Sequence, residues 1–185
     1  MPVLLVPRLD RRSGGLLPSA IPGNVLWLRG DTNIQIGGAR DLDGVNQGFS
    51  LTDPALADFE TGDFILSVVF SRDDTGNQAF VGKRQDANNY WVFVLTGGNV
   101  LSFAAVIGGV VKMQITGTTA ITDTDWHVAT VVGDRDSTSG SRVFLDGADD
   151  TAGTPTVSTD DIDNTGDLWV GQWGDGTIYF NGQIA

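Results

Sequence analysis

The sequence predicts an all-β fold, a sandwich of two antiparallel sheets, and three observations predict it. Apolar and polar residues alternate at period 2 over a succession of short runs. Glycine is abundant, 25 in 185 residues, and Gly-Gly and Gly-Asn pairs punctuate those runs as tight-turn signals. No segment carries about ten residues of helical periodicity.

Taken in order, the elements read as follows. Residues 1–23 mix Pro, Gly and Ser with no period of either kind and read as an extended arm. Leu4, Leu5, Leu9 and Leu16 give the arm something to dock, and Arg8, Arg11 and Arg12 against Asp10 make it basic. Residues 24–185 read as the sandwich. "VLWLRGD" from Val25 is its first apolar run. "DFILSVVFSR" (Asp63–Arg72) puts Phe64, Leu66, Val68 and Phe70 on one side and Ile65, Ser67, Val69 and Ser71 on the other. "NQAFVGKR" follows the turn "RDDTGN". Then "NNYWVFVL", "VLSFAAVI" and "VVKMQITG" are joined by "TGGN" and "GG", an antiparallel meander. "HVATVVGD" and "SRVFLDG" make the next pair, and "GDLWVGQWG" with "TIYFNGQIA" the last. About ten to twelve strands favour two packed sheets over a small barrel.

Composition excludes several functions. A formal net charge of −12 repels phosphate backbones, so nucleic acid is not an expected partner. No apolar run approaches the length of a membrane span, so no membrane insertion is expected. Cysteine is absent, which removes disulfides and thiol chemistry. Val3–Val6 is too short for the apolar core of a signal peptide, and no basic segment precedes it.

Four stretches then fall in a recognisable order: "LDGVNQGFSLTDPALADFETGDFILSVVF" (Leu42–Phe70), "DTDWHVATVV" (Asp123–Val132), "SRVFLDG" (Ser141–Gly147), and "GDLWVGQW" with "YFNGQIA" at the end. Together they resemble the laminin G-like and pentraxin-like branch of the concanavalin A-like jelly-roll superfamily, from about residue 25 to 185. The resemblance implies an antiparallel jelly-roll sandwich. In that family a further strand usually follows the last motif. The chain stops at Ala185, so the final strand is expected to be short or missing, its edge left for the arm or a neighbouring chain to pair. Ala185 also stands where some members carry a calcium-binding aspartate, so calcium at that position is not carried over.

The residues themselves argue against catalysis. The retaining glycosidases of this superfamily use a Glu pair in an E-x-D-x-x-E pattern, with carboxylates about 5–5.5 Å apart. This chain has one glutamate, Glu60. His127, the only histidine, reads as a strand-start imidazole hydrogen-bonded to backbone, because no nucleophile motif accompanies it. Asp134, Asp136 and Asp146 around the hairpin "GDRDSTSGSRVFLDG" are candidate calcium ligands, since calcium takes six to eight oxygens and aspartate-rich turns supply them. The favoured reading is of solvated turn aspartates capping backbone groups, with Arg135 and Arg142 partly neutralising them. Sugar binding needs an exposed aromatic platform edged by amides and carboxylates. Trp173, Asp175 and Tyr179 in "GQWGDGTIYFNG", with Asn88, Asn89 and Tyr90, are the candidates. Trp27, Trp91, Trp126 and Trp169 lie within or beside apolar runs and are expected in the core.

The expectation is a non-catalytic surface protein of a larger assembly, such as a virus particle, anchored by its arm and displaying a domain that binds surface glycans or protein. A free-standing or secreted lectin-like adhesion module is the alternative. Either places the chain on a virion or an extracellular surface.

Overall fold

The computed structural model describes residues 39–174 and 176–185, with the backbone of 24–25. The arm and Trp27 lie outside them.

Thirteen strands are present among the described residues: β1 (Asn24–Val25), β2 (Arg40–Asp43), β3 (Phe49–Leu51), β4 (Phe64–Arg72), β5 (Gln78–Arg84), β6 (Tyr90–Leu95), β7 (Leu101–Ile107), β8 (Val110–Thr116), β9 (His127–Gly133), β10 (Arg142–Leu145), β11 (Ala148–Asp149), β12 (Asp167–Val170) and β13 (Asn181–Ile184). A single 3-10 turn, Ala55–Ala57, interrupts them. One sheet has the order β11-β10-β9-β4-β13-β2, with β1 added parallel to β4. The other has the order β3-β12-β5-β6-β7-β8. All other pairings are antiparallel, as a jelly-roll sandwich requires.

The alternation in β4 survives intact. Phe64, Leu66, Val68 and Phe70 are buried between the sheets, and Ile65 and Val69 face outward. The turns follow from their residues. Gly108 and Gly109, at φ +60° and +76°, close β7 onto β8. Asp146 and Gly147, at φ +52° and +81°, close β10 onto β11. Two consecutive positive φ values match the twist of a two-residue hairpin, and Gly and Asp are among the few residues that accept them.

The core is aromatic. Phe59 stacks on Phe64 at 4.2 Å and meets Trp91 at 4.8 Å, while Phe70, Phe80 and Phe180 form a second group at the other end of β4. Gly133 has no side chain for a packing reason: a Cβ there would lie 2.3 Å from the Phe64 ring.

Two expectations are corrected. "GDLWVGQWG" and "TIYFNGQIA" do not pair as a hairpin. β12 lies in one sheet and β13 in the other, and only one bridge, Gln172 to Tyr179, joins the two stretches. Leu168 and Val170 face the core from one side and Ile184 from the other, so the intervening residues must cross between layers. The second correction concerns tryptophan. Trp91 is fully buried, but Trp126 is 49% exposed and Trp169 half-buried. Leu168 and Val170 take the inward positions of β12, which turns Trp169 out.

Among the described residues the interior also holds three cations, Arg72, Lys83 and Arg135, and Lys83 is the one met by carboxylates at salt-bridge distance. Lys83 of β5 points inward beside the core, and its ammonium is fully buried. Asp58 accepts a hydrogen bond from it, and Asp53 and Asp163 lie 2.8 and 3.3 Å away. Burial pushes the ammonium pKa down, but the three carboxylates outweigh it and leave the value above its ordinary one. Burial and the neighbouring Asp58 carboxyl raise Asp163. By the lysine's own titration its contribution is full below its unfolded pKa and is lost as pH rises through the raised value, and at the acid end it weakens as its carboxylate partners take up protons. Lys83→Met is expected to lose about 3 kcal/mol at neutral pH, because it leaves carboxylates facing one another. The loss should shrink as pH falls and Asp163 takes up a proton. Urea denaturation at the two pH values measures both; a pH-independent loss would contradict this account.

Candidate functional site

The outer face of the β5–β6 pair is set by the same alternation that buries Lys83. Lys83 and Trp91 are cross-strand partners and point in. Their neighbours Arg84 and Tyr90 are the next pair and point out. Trp169 of β12 lies opposite Gly82 of β5, on the same outer face.

The crossing segment after β12 then folds over this face. Trp173 N–H donates to the Ile178 carbonyl at 2.7 Å and Gly176 N–H to the Trp173 carbonyl at 2.8 Å, which closes the turn. Gly174 is pressed against the sheet: a Cβ there would lie 3.0 Å from Trp169 Cδ1 and from Arg84 Cβ. The turn therefore sets Trp173 on Tyr90, edge-on, with ring centroids 5.0 Å apart and planes at 86°. The Arg84 guanidinium carbon lies 5.5 Å from the Trp173 ring centre. Cation–π and edge-to-face contacts of this kind fix a half-buried indole in one orientation.

Of the expected sugar-binding residues, Trp173 and Tyr90 are brought into contact. Tyr179 sits at the base of the same loop, with its hydroxyl 2.9 Å from where a Gly176 Cβ would be. Asn89 has another task. Its amide donates to both Asp86 oxygens at 3.0 and 3.1 Å and its carbonyl accepts Gly108 N–H at 3.0 Å, so it stitches two turns beneath Tyr90. Asn88 is exposed beside it. Asp175 lies outside the described residues. The sequence reading missed Arg84 and Trp169. Trp169 carried a signal, since it sits between two aliphatics of an alternating strand, but the place of Arg84 opposite Tyr90 emerges only from the strand register.

The proposed calcium ligands do not assemble. Asp134 and Asp136 lie together past the end of β9, where burial and the adjacent Asp136 and Asp63 carboxyls push Asp134 up. Asp146 is at the opposite end of the β9–β10 hairpin, and both its oxygens are engaged, one by Val128 N–H and one by His127. The hairpin length separates them. Arg135 is not available to neutralise either, because its guanidinium is buried against the carbonyls of Glu60, Ser158 and Asp160. Arg142 pairs instead with Asp149, at 3.2 Å. Among the described residues no group of three or more His, Asp or Glu side chains could hold a metal ion. His127 also departs from expectation: carboxylates, not backbone, meet both its nitrogens.

A laminin G family model, described as the concanavalin A-like lectin/glucanases superfamily, matches residues 43–185. The chain belongs to that superfamily. Solved structures agree on the laminin G-like fold. Domains LG4-5 of the mouse laminin α1 chain superpose with a TM-score of 0.59 at 14% identity, over 79% of this chain and 39% of that one. The CBM40 module of Ruminococcus gnavus IT-sialidase bound to α2,3 sialyllactose gives 0.57 at 13% identity, over 79% of this chain and 86% of that one. The chain thus spans well under half of the laminin segment and most of the sialidase module. A comparison with curated proteins found no match. No helix among the described residues is long and apolar enough to cross a membrane.

Gly174→Ala tests how the laminin G-like sheet positions its loop. The added methyl must displace Trp169 or Arg84, and the expected result is a loss of about 1 kcal/mol. Release of Trp173 should also shift the intrinsic fluorescence to the red. Unchanged stability and emission would show that the loop is not seated as described.

Proposed function

We propose that the chain is a non-catalytic recognition domain that binds carbohydrate on the outer face of β5, β6 and β12. The observation that carries this reading is Trp173, a half-buried indole held in place by Tyr90 and Arg84 over the outer face of the sheet. Sugars stack their apolar faces on such rings and hydrogen-bond their rims to neighbouring donors, which Arg84 and the Tyr90 hydroxyl supply.

Two features favour binding over chemistry. Glu60 stands in a loop with φ +45°, not as one of a carboxylate pair on a strand. His127 is held between two aspartates, and among the described residues no hydroxyl is hydrogen-bonded to its ring. The sialidase module named above binds sialyllactose, so sialylated oligosaccharides belong in the test panel beside neutral ones. The basic, leucine-bearing residues 1–23 of an otherwise acidic chain favour a second role: Leu4, Leu5, Leu9 with Arg8, Arg11 and Arg12 anchor the domain to other chains of an assembly, such as the surface of a virus particle.

Calorimetric titration of the full chain with the panel tests the site. Trp173→Ala is expected to weaken binding by about 1–2 kcal/mol, the worth of a stacking platform. Unchanged affinity would move the site elsewhere. Light scattering on residues 1–185 beside a chain lacking 1–23 tests the anchor. Defined multimers that vanish with the arm support an assembly component, whereas two monomers support a free-standing lectin-like module.

A further inference from the structure

The chain's one histidine takes no part in the Trp173 surface. We propose that His127 is a proton-operated latch, which in its doubly protonated form ties the loop before β9 to the β10–β11 turn and which releases that loop when one proton leaves.

The geometry carries this. His127 Nδ1 lies 2.8 Å from Asp146 Oδ2 and Nε2 lies 2.8 Å from Asp123 Oδ1. Ionised carboxylates only accept hydrogen bonds, so both ring nitrogens must donate, and only the imidazolium has two N–H groups. The two partners are unequal. Asp146 is also fixed by Val128 N–H at 2.7 Å and stands in the two-residue turn after β10. The Asp123 side chain is 56% exposed, and its other bond is to Asp125 N–H within its own loop. A neutral imidazole keeps its Nδ1–H on Asp146 and turns a lone pair toward Asp123. Two lone pairs cannot stay 2.8 Å apart, so the Asp123 side opens.

The release is local. Ile121 is buried, its carbonyl accepts Arg72 Nη1–H at 2.7 Å, and its N–H donates to Asn99. Beyond it, Ser71 Oγ–H on the Thr124 carbonyl is the tie to β4. Opening of the Asp123 side therefore loosens Thr122–Trp126, which keeps the Ser71 bond and carries the exposed indole of Trp126. Among the described residues, the charged groups facing the imidazole are Asp123 and Asp146. Arg72 of β4 interacts electrostatically with Asp123, and the Phe70 ring, 5.7 Å from the imidazole, carries no charge.

The sign follows from the shifts. Burial lowers the His127 pKa, but Asp146 and Asp123 raise it by more, above the ordinary value near 6.5. The contribution is full below the unfolded value and is lost as pH rises through the folded one. Burial raises Asp146, but Val128 N–H and His127 outweigh it, and His127 and Asp125 N–H lower Asp123, so both carboxylates ionise below their usual range. The latch is closed in mild acid and opens on the alkaline side.

Long-range ¹H–¹⁵N spectra of the full chain, followed through a pH titration, test it. The expected result is an imidazole midpoint above 6.5, with amides of residues 122–126 shifting at the same midpoint while Ala129 and Val131 stay still. Asp123→Asn should lower the midpoint and remove the coupled shift. A wild-type midpoint at or below 6.5, silent loop amides, or a midpoint indifferent to Asp123→Asn would each overturn the proposal. If that variant does not fold, wild-type amide exchange decides. Corrected for intrinsic pH dependence, the loop should exchange several-fold faster above the midpoint, and equal protection on both sides overturns the latch.

Discussion

An ammonium group without water must be held by anions, and the loop end of this sandwich is organised around that constraint. Lys83 reaches the interior because its strand alternates, and Asp53, Asp58 and Asp163 come from three separate loop positions to meet it. Those contacts fix the 3-10 turn, which in turn offers the Ala57 carbonyl to the Trp91 indole N–H at 3.2 Å. With Lys83 and Trp91 committed inward, the next pair, Arg84 and Tyr90, has only the outer face. The proposed recognition surface is thus the complement of a buried salt bridge, one residue out of phase with it.

The fold was legible wherever one periodicity applied without interruption. The alternation of β4, the meander β5–β8 and the Gly-Gly turn could be read because each is decided by neighbours in sequence. The pairing of the last two runs could not. Whether β12 meets β13 or each joins a different sheet depends on which layer still has an open edge, and that is settled by distant strands. The tryptophans failed for a related reason. Apolar surroundings suggested burial for Trp126 and Trp169, but position within the alternation, not hydrophobicity, decides the face.

The candidate site was half legible. Trp173 stood out because Gly and Asp flank it, and Tyr90 because amides precede it. Arg84 was hidden, since a basic residue before a turn is ordinary until the register shows which aromatic it faces. The structural task of Asn89 was hidden, because that its amide joins two turns is visible only once Gly108 and Asp86 are placed. The aspartates were the least legible. Charge density in sequence says nothing about whether carboxylates converge, and a hairpin puts residues 134 and 146 at opposite ends.

The crossing of the Trp173 segment from one sheet to the other has a mechanical consequence. β12 is flanked by β3 and β5, and β13 by β2 and β4, so both ends of the segment are interior strands of different sheets. A pull on something gripped at Trp173 does not unzip a hairpin from its tip. It divides between two layers. For the proposed recognition site, that means a load shared by both layers of the sandwich rather than carried by one strand pair.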